Sequence, residues 1–183
     1  MKHFWNNIEG WISCFTLYKE AVDRAPVDEL SIFVEIGTYK GRSAAFMGVE
    51  IINSDKPITF YTVDHFKGSA EHNNLADLYV EAWNNLAPLA KASKARVRVW
   101  SIDSITASKN FKDNTLDFVF IDGSHDYDSV VADINAWFPK VKKGGILAGD
   151  DYVDVWPDVI RAVNEEFGEH NVRKVCNQWA ITK

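Results

Sequence analysis

The chain reads as an α/β domain built on a seven-stranded, mostly parallel sheet, with one antiparallel strand near the edge and helices on both faces. Three observations predict it. Strand-like and helix-like segments alternate from end to end of the 183 residues, the pattern of a sheet wound with crossover helices. The interior strand candidates, Leu116 to Ile121 above all, are apolar on both faces, as strands are when helices cover both sides of a sheet. The last two strand candidates, Val172 to Val175 and Trp179 to Thr182, are joined by Cys176-Asn177-Gln178 alone. That leaves no room for a helix and makes the pair antiparallel.

The elements follow in order. A helical period through Trp11, Cys14, Phe15, Tyr18 and Val22 predicts a helix over residues 11–25, stopped by Pro26. Ser31 to Glu35, rich in β-branched and aromatic residues, is the first strand. Ser43 to Ile52 is a helix that buries Phe46, Met47 and Ile51, and Ile58 to Val63 is the second strand. Leu75, Leu78, Tyr79, Ala82 and Leu86 mark a longer helix expected to end near Pro88. Ala95 to Trp100 and Leu116 to Ile121 are the third and fourth strands. A helix carrying Val130, Ile134 and Trp137 follows, closed by Pro139, and Gly145 to Ala148 is the fifth strand. Pro157 opens a last helix through Val159, Val163 and Phe167. Without repeat, linker or low-complexity run, residues 1–183 form one domain, an N-terminal helical segment over 1–29 and the sheet core over 30–183.

The net charge of -6 argues against a nucleic-acid partner. Lys140, Lys142 and Lys143, and Lys91, Lys94, Arg96 and Arg98, read as solvated rims flanking strands. No run approaches the roughly 20 apolar residues a membrane span needs, and no apolar leader is visible at the start. Cys14 and Cys176, far apart, make neither a disulfide framework nor a metal-ligand spacing. The expected setting is the reducing cytoplasm.

Open α/β sheets bind ligands outside the carboxyl ends of their strands, and the noteworthy polar residues fall there. The first strand runs out in Glu35-Ile36-Gly37-Thr38-Tyr39-Lys40-Gly41, the second in Asp64-His65, and the third at Ser101 and Asp103. The fourth ends in Asp122-Gly123-Ser124-His125 and the fifth in Gly149-Asp150-Asp151. So many carboxylates on one edge repel one another unless cations live there. Gly37 and Gly41 allow a tight turn and close approach to a ligand, and the following helix offers N–H groups to an anion. The spacing is not the G-x-G-x-x-G of dinucleotide sites. Glu35 suits an ammonium group and Asp64 suits ribose hydroxyls. Taken alone, the same motif also reads as a plain βα turn that needs glycine for its geometry. Asp122, Asp150 and Asp151 have the donor type of a Mg²⁺ site or cap the following helices. His125 is a candidate base for a hydroxyl proton, or a loop histidine bonded to its own turn. His65 is placed near the cofactor.

Four of these segments together resemble the catechol O-methyltransferase-like branch of class I methyltransferases. Phe33-Val34-Glu35-Ile36-Gly37-Thr38-Tyr39-Lys40-Gly41-Arg42-Ser43 resembles its first motif. Thr62-Val63-Asp64-His65-Phe66-Lys67-Gly68, followed by Glu71-His72, is similar to the second motif of the sugar-acting and macrolide-acting relatives. The stretches Phe118 to Tyr127 and Lys143 to Tyr152 are similar to that group's fourth- and fifth-strand motifs. The resemblance implies a Rossmann-like class I methyltransferase fold and S-adenosylmethionine as cofactor. It places Glu35 and the loop of Gly37, Thr38, Tyr39 and Gly41 on the methionine part, Asp64 on the ribose hydroxyls, and Ser101 and Asp103 beside the adenine, with Ser43 and His65 as further cofactor contacts. Asp122 joins the cofactor set and, with Asp150 and Asp151, matches the metal-ligand positions, with Mg²⁺ as the implied ion. His125 stands where the catechol enzymes carry a lysine base, which favours the sugar-acting branch.

The expected reaction is metal-assisted methyl transfer to a hydroxyl of a sugar or another small natural product, with His125 as base. The chain holds little sequence for a lid over the acceptor, which leaves room for a second subunit of a homo-oligomer to complete the pocket. A nucleotide or dinucleotide enzyme, and a non-catalytic binding module on the same fold, are the alternatives.

Overall fold

The computed structural model describes residues 1–12, 14–68, 77–92 and 96–183. Seven strands, β1 (Ser31–Ile36), β2 (Ile58–Asp64), β3 (Arg96–Ser101), β4 (Leu116–Ile121), β5 (Val141–Gly149), β6 (Arg173–Val175) and β7 (Gln178–Thr182), form one sheet in the order β3-β2-β1-β4-β5-β7-β6. β1 to β5 pair in parallel, and β7 runs antiparallel to both β5 and β6. The fold class predicted from the sequence is the one observed.

Among the described residues six α-helices, α1 (Thr16–Arg24), α2 (Arg42–Ser54), α3 (Leu78–Lys91), α4 (Ser104–Ser108), α5 (Tyr127–Trp137) and α6 (Pro157–Phe167), sandwich the sheet. Strand alternation explains the two cores. Phe33, Phe118 and Phe120 pack with Leu17, Tyr18, Met47 and Leu89 beneath α1, α2 and α3. Val34, Val119 and Ile121 point the other way, against Ala107, Trp137 and Val163 of α4, α5 and α6. Local signals set the helix starts: Asp126 caps α5 by accepting the Ser129 N–H at 3.0 Å, and Pro157 opens α6.

Four local expectations are corrected. The helix expected over 11–25 is shorter, and Trp11 lies outside it at 72 % exposure. Pro88 sits inside α3 rather than ending it, because the residue that follows it, Leu89, is buried in the core. The start expected at Leu75 lies outside the described residues. β5 begins at Val141, pairing with Leu116 before a register shift. The cysteines, 162 residues apart, are paired as a disulfide with Cα atoms 6.4 Å apart. The cause is topological: the segment before α1 passes the β6–β7 turn, where the buried Gln178 side chain donates to the Cys14 carbonyl at 2.9 Å. Among the described residues no helix is long and apolar enough to cross a membrane.

The strand order reverses between β1 and β4, so the loops leaving them diverge and open a crevice at their carboxyl ends.

Candidate active site

The crevice is built around Gly37. Its φ is +90°, and a Cβ there would stand 1.7 Å from the Asp122 carbonyl oxygen. Two backbone bonds hold this contact: Asp122 N–H to the Ile36 carbonyl at 2.7 Å and Gly37 N–H to the Val63 carbonyl at 2.9 Å. The ends of β1, β2 and β4 are thus tied together at a point with room for no side chain. The turn continues through Tyr39 at φ +47° and Gly41 at +89°, the N-cap residue of α2.

Asp64 anchors that turn. Its Oδ2 accepts the N–H groups of Thr38 at 3.0 Å and Tyr39 at 2.9 Å, and its Oδ1 accepts that of Phe66 at 2.7 Å. Three of about four acceptor positions on the carboxylate are therefore used by backbone, although Asp64 still lines the cavity. Glu35 lies deeper, fully buried and off the cavity wall. Its carboxylate accepts from the Tyr18 hydroxyl at 2.5 Å and from Thr62 Oγ1 at 3.1 Å, and Thr62 Oγ1 is hydrogen-bonded to Thr38 Oγ1. A chain of hydroxyls thus links Glu35 to the turn it supports. Burial pushes the Glu35 carboxyl up to about 7, against the bonds from Tyr18 and Thr62 that favour its charged form.

The Glu35 shift carries a sign. A carboxyl raised in the fold contributes stability that is complete below its unfolded value, 4.5, and is lost as pH rises through about 7. Glu35→Gln cannot lose it. Between pH 5 and pH 8 the wild type should lose roughly 2.5 kcal/mol relative to that variant. Thermal melts of both proteins at the two pH values check this, and a difference that stays constant with pH contradicts it.

At the ends of β4 and β5 the acids crowd. Burial, then the neighbouring Asp150 and Asp151, hold the Asp122 carboxyl well above the usual range, and burial pushes Asp150 up to about 6. Asp150 Oδ1 accepts the Asp151 N–H at 2.9 Å. Asp151, at φ +61°, turns its carboxylate to His125, with Oδ2 2.8 Å from Nε2. The His125 ring stacks on Trp156, with centroids 4.1 Å apart. Among the described residues no three His, Cys, Asp or Glu side chains are placed to hold a metal ion as they stand. The three aspartates suit a hard cation by donor type, but Asp151 is engaged with His125.

One cavity of about 580 Å³ joins these groups, a size that suits a nucleoside-bearing ligand. Of the residues expected from the sequence, Gly37, Thr38, Tyr39, Ser43, Asp64, His65, Asp103, Asp122, His125 and Asp151 line it. Glu35, Gly41, Ser101 and Asp150 do not. Asp103 reaches the wall but caps α4, accepting the Thr106 N–H at 3.0 Å. Glu71 and His72 lie outside the described residues.

Sequence reasoning missed four contributors: Trp11, Trp156, Ser104 and Asp133. Trp11 reaches the rim because Arg42 at the start of α2 holds the N-terminal segment, donating to the Ile8 carbonyl at 2.7 Å, and its ring stands 5.3 Å from that of Tyr39. A signal existed for Asp133: Ser129, Ala132 and Asp133 recur at helical spacing on the face of α5 that meets the cavity.

Residues 34–152, well over half of the chain, match the family described as "Methyltransferase domain", and the chain belongs to that family. The O-methyltransferase NovP shares the fold, at a TM-score of 0.66 and 18% identity over 91% of this chain and 78% of that one. CalS11, a TDP-rhamnose 3'-O-methyltransferase of calicheamicin biosynthesis, superimposes at a TM-score of 0.60 and 20% identity over 91% and 77%. "Uncharacterized protein R132" of Acanthamoeba polyphaga mimivirus is 31% identical over 141 residues, 75% of this chain. The chain spans 59% of the length of that relative.

Proposed function

We propose that this protein transfers a methyl group from S-adenosylmethionine to a hydroxyl of a small molecule, a sugar or sugar-bearing natural product. One observation carries the reading: the Gly37–Tyr39 turn and the His125–Asp151 pair line the same cavity. The cofactor supplies an electrophilic methyl on a sulfonium. The Gly37 turn positions its amino-acid part, and the acidic surroundings of Asp64 and Asp122 favour the cationic cofactor over its neutral product. His125 takes the acceptor proton as the oxygen attacks, and Asp151 stabilises the imidazolium that results. Trp156 keeps the ring in plane, and Trp11 and Tyr39 offer aromatic faces to the acceptor at the rim. The sugar assignment leans on the likeness to CalS11 and on a histidine in the base position.

A divalent cation is the finer part of the proposal. Asp122, Asp150 and Asp151 would hold it, and it would lower the pKa of the acceptor hydroxyl. Asp151 would then exchange His125 for the ion.

Incubation with methyl-labelled cofactor and a panel of nucleotide sugars and phenols, read by mass spectrometry, tests the reaction. A gain of one methyl on a hydroxyl is expected, and cofactor left intact with every acceptor contradicts it. In the same assay EDTA should cut turnover by roughly 100-fold or more, restored by Mg²⁺. Full activity in EDTA removes the cation and leaves the methyl transfer standing.

A further inference from the structure

Asp133 is a buried carboxylate on the cavity wall that the reaction above does not use. It belongs to α5 and is 8% exposed. Its Oδ1 accepts from Ser104 Oγ at 2.5 Å, and that oxygen in turn accepts the Trp137 indole N–H at 2.8 Å. Trp137 is fully buried, so the relay fixes both the serine hydrogen and the plane of the carboxylate. The other oxygen, Oδ2, lies beside Gly123: a Cβ added to that glycine would stand 3.6 Å from it. Ile105 and Ala132 line the same cavity. A fixed carboxylate acceptor among apolar lining residues suits an aromatic base that presents a donor. Asp103, expected beside the adenine, uses its Oδ1 to cap α4, accepting from the Thr106 N–H and hydroxyl, whereas Asp133 is the more deeply buried of the two carboxylates.

We propose that Asp133 recognises the exocyclic amino group of the cofactor's adenine and sets the base specificity of the site. The inference rests on the cofactor reading above. An ionised carboxylate accepts hydrogen bonds and donates none, so it matches the 6-amino group of adenine and repels the 6-oxo group of hypoxanthine. Burial raises the Asp133 carboxyl to about 6, so it is ionised at pH 8. Ser104 keeps the aspartate from turning away, which makes it the positioning residue of the pair.

The test is calorimetric titration at pH 8 with S-adenosylhomocysteine and with its deaminated analogue, S-inosylhomocysteine. The wild type is expected to prefer the adenosyl compound by roughly 100-fold, about the cost of an unpaired polar contact at a buried charge. Asp133→Asn, whose amide both donates and accepts, should reduce that preference below about tenfold, by weakening the adenosyl compound and sparing the inosyl one. Adenosyl binding with equal affinity for the two compounds in the wild type overturns the assignment even if the variant does not fold. So does an unchanged preference in a folded Asp133→Asn. No heat with either compound overturns the cofactor reading and this inference with it.

Discussion

His125→Ala should lower turnover by about 10²- to 10⁴-fold, the usual contribution of a positioned general base, while the cofactor dissociation constant stays within about threefold. The split follows from placement. His125 belongs to the loop after β4 and is held by Asp151 at 2.8 Å and by the Trp156 ring, whereas the turn expected to grip the cofactor is fixed by Asp64, Glu35 and the backbone of β4. Removing the imidazole breaks none of those bonds. Single-turnover rates beside calorimetric affinities separate the two effects. Turnover within a few-fold of wild type removes the histidine from the mechanism.

Gly37→Ala should be the most damaging single-methyl change in the molecule. The added carbon would lie 1.7 Å from the Asp122 carbonyl oxygen and 2.5 Å from its carbon, at φ +90°. Both partners are backbone atoms at the ends of hydrogen-bonded strands, so relief requires parting β1 from β4. A cost above about 4 kcal/mol, a fall of roughly 10 °C in melting temperature and loss of cofactor affinity are expected together. Gly144 is the control. Its φ is +78°, but nothing lies within 4 Å of an added Cβ, so Gly144→Ala should cost only the conformational term, about 1–2 kcal/mol. Equal melting temperatures for the two variants would contradict the steric account.

The sheet was legible because its strands carry their pairing in their composition. Leu116 to Ile121 is apolar on both faces, and only a central strand is buried that way. The antiparallel end was legible because three residues cannot hold a crossover. The acids and glycines at the strand ends were legible by position, since parallel strands deliver their carboxyl termini to one edge. What escaped depended on tertiary partners. Trp11 fits a helical period, yet it is drawn to the cavity rim by Arg42, 31 positions on in the numbering of the chain. Pro88 is a breaker by propensity, overridden by the burial of Leu89. The Cys14–Cys176 pairing has no local signal at all. Asp64 and Glu35 were assigned to ligand atoms, but their bonds run largely to the turn and to buried hydroxyls, because a carboxylate's acceptors are satisfied by whichever donors the fold brings near. Asp133 shares a helical spacing with Ser129 and Ala132, but its place on the cavity wall depends on Ser104 and Gly123, which only the fold brings beside it.

The most direct measurement is a crystal structure with S-adenosylhomocysteine bound. The account predicts electron density for its amino-acid part against the Gly37–Tyr39 turn, its base beside Asp133, and its sulfur facing His125 across the space left for an acceptor. Nucleoside density on another face of the sheet, or the product seated with its sulfur remote from His125, would contradict it.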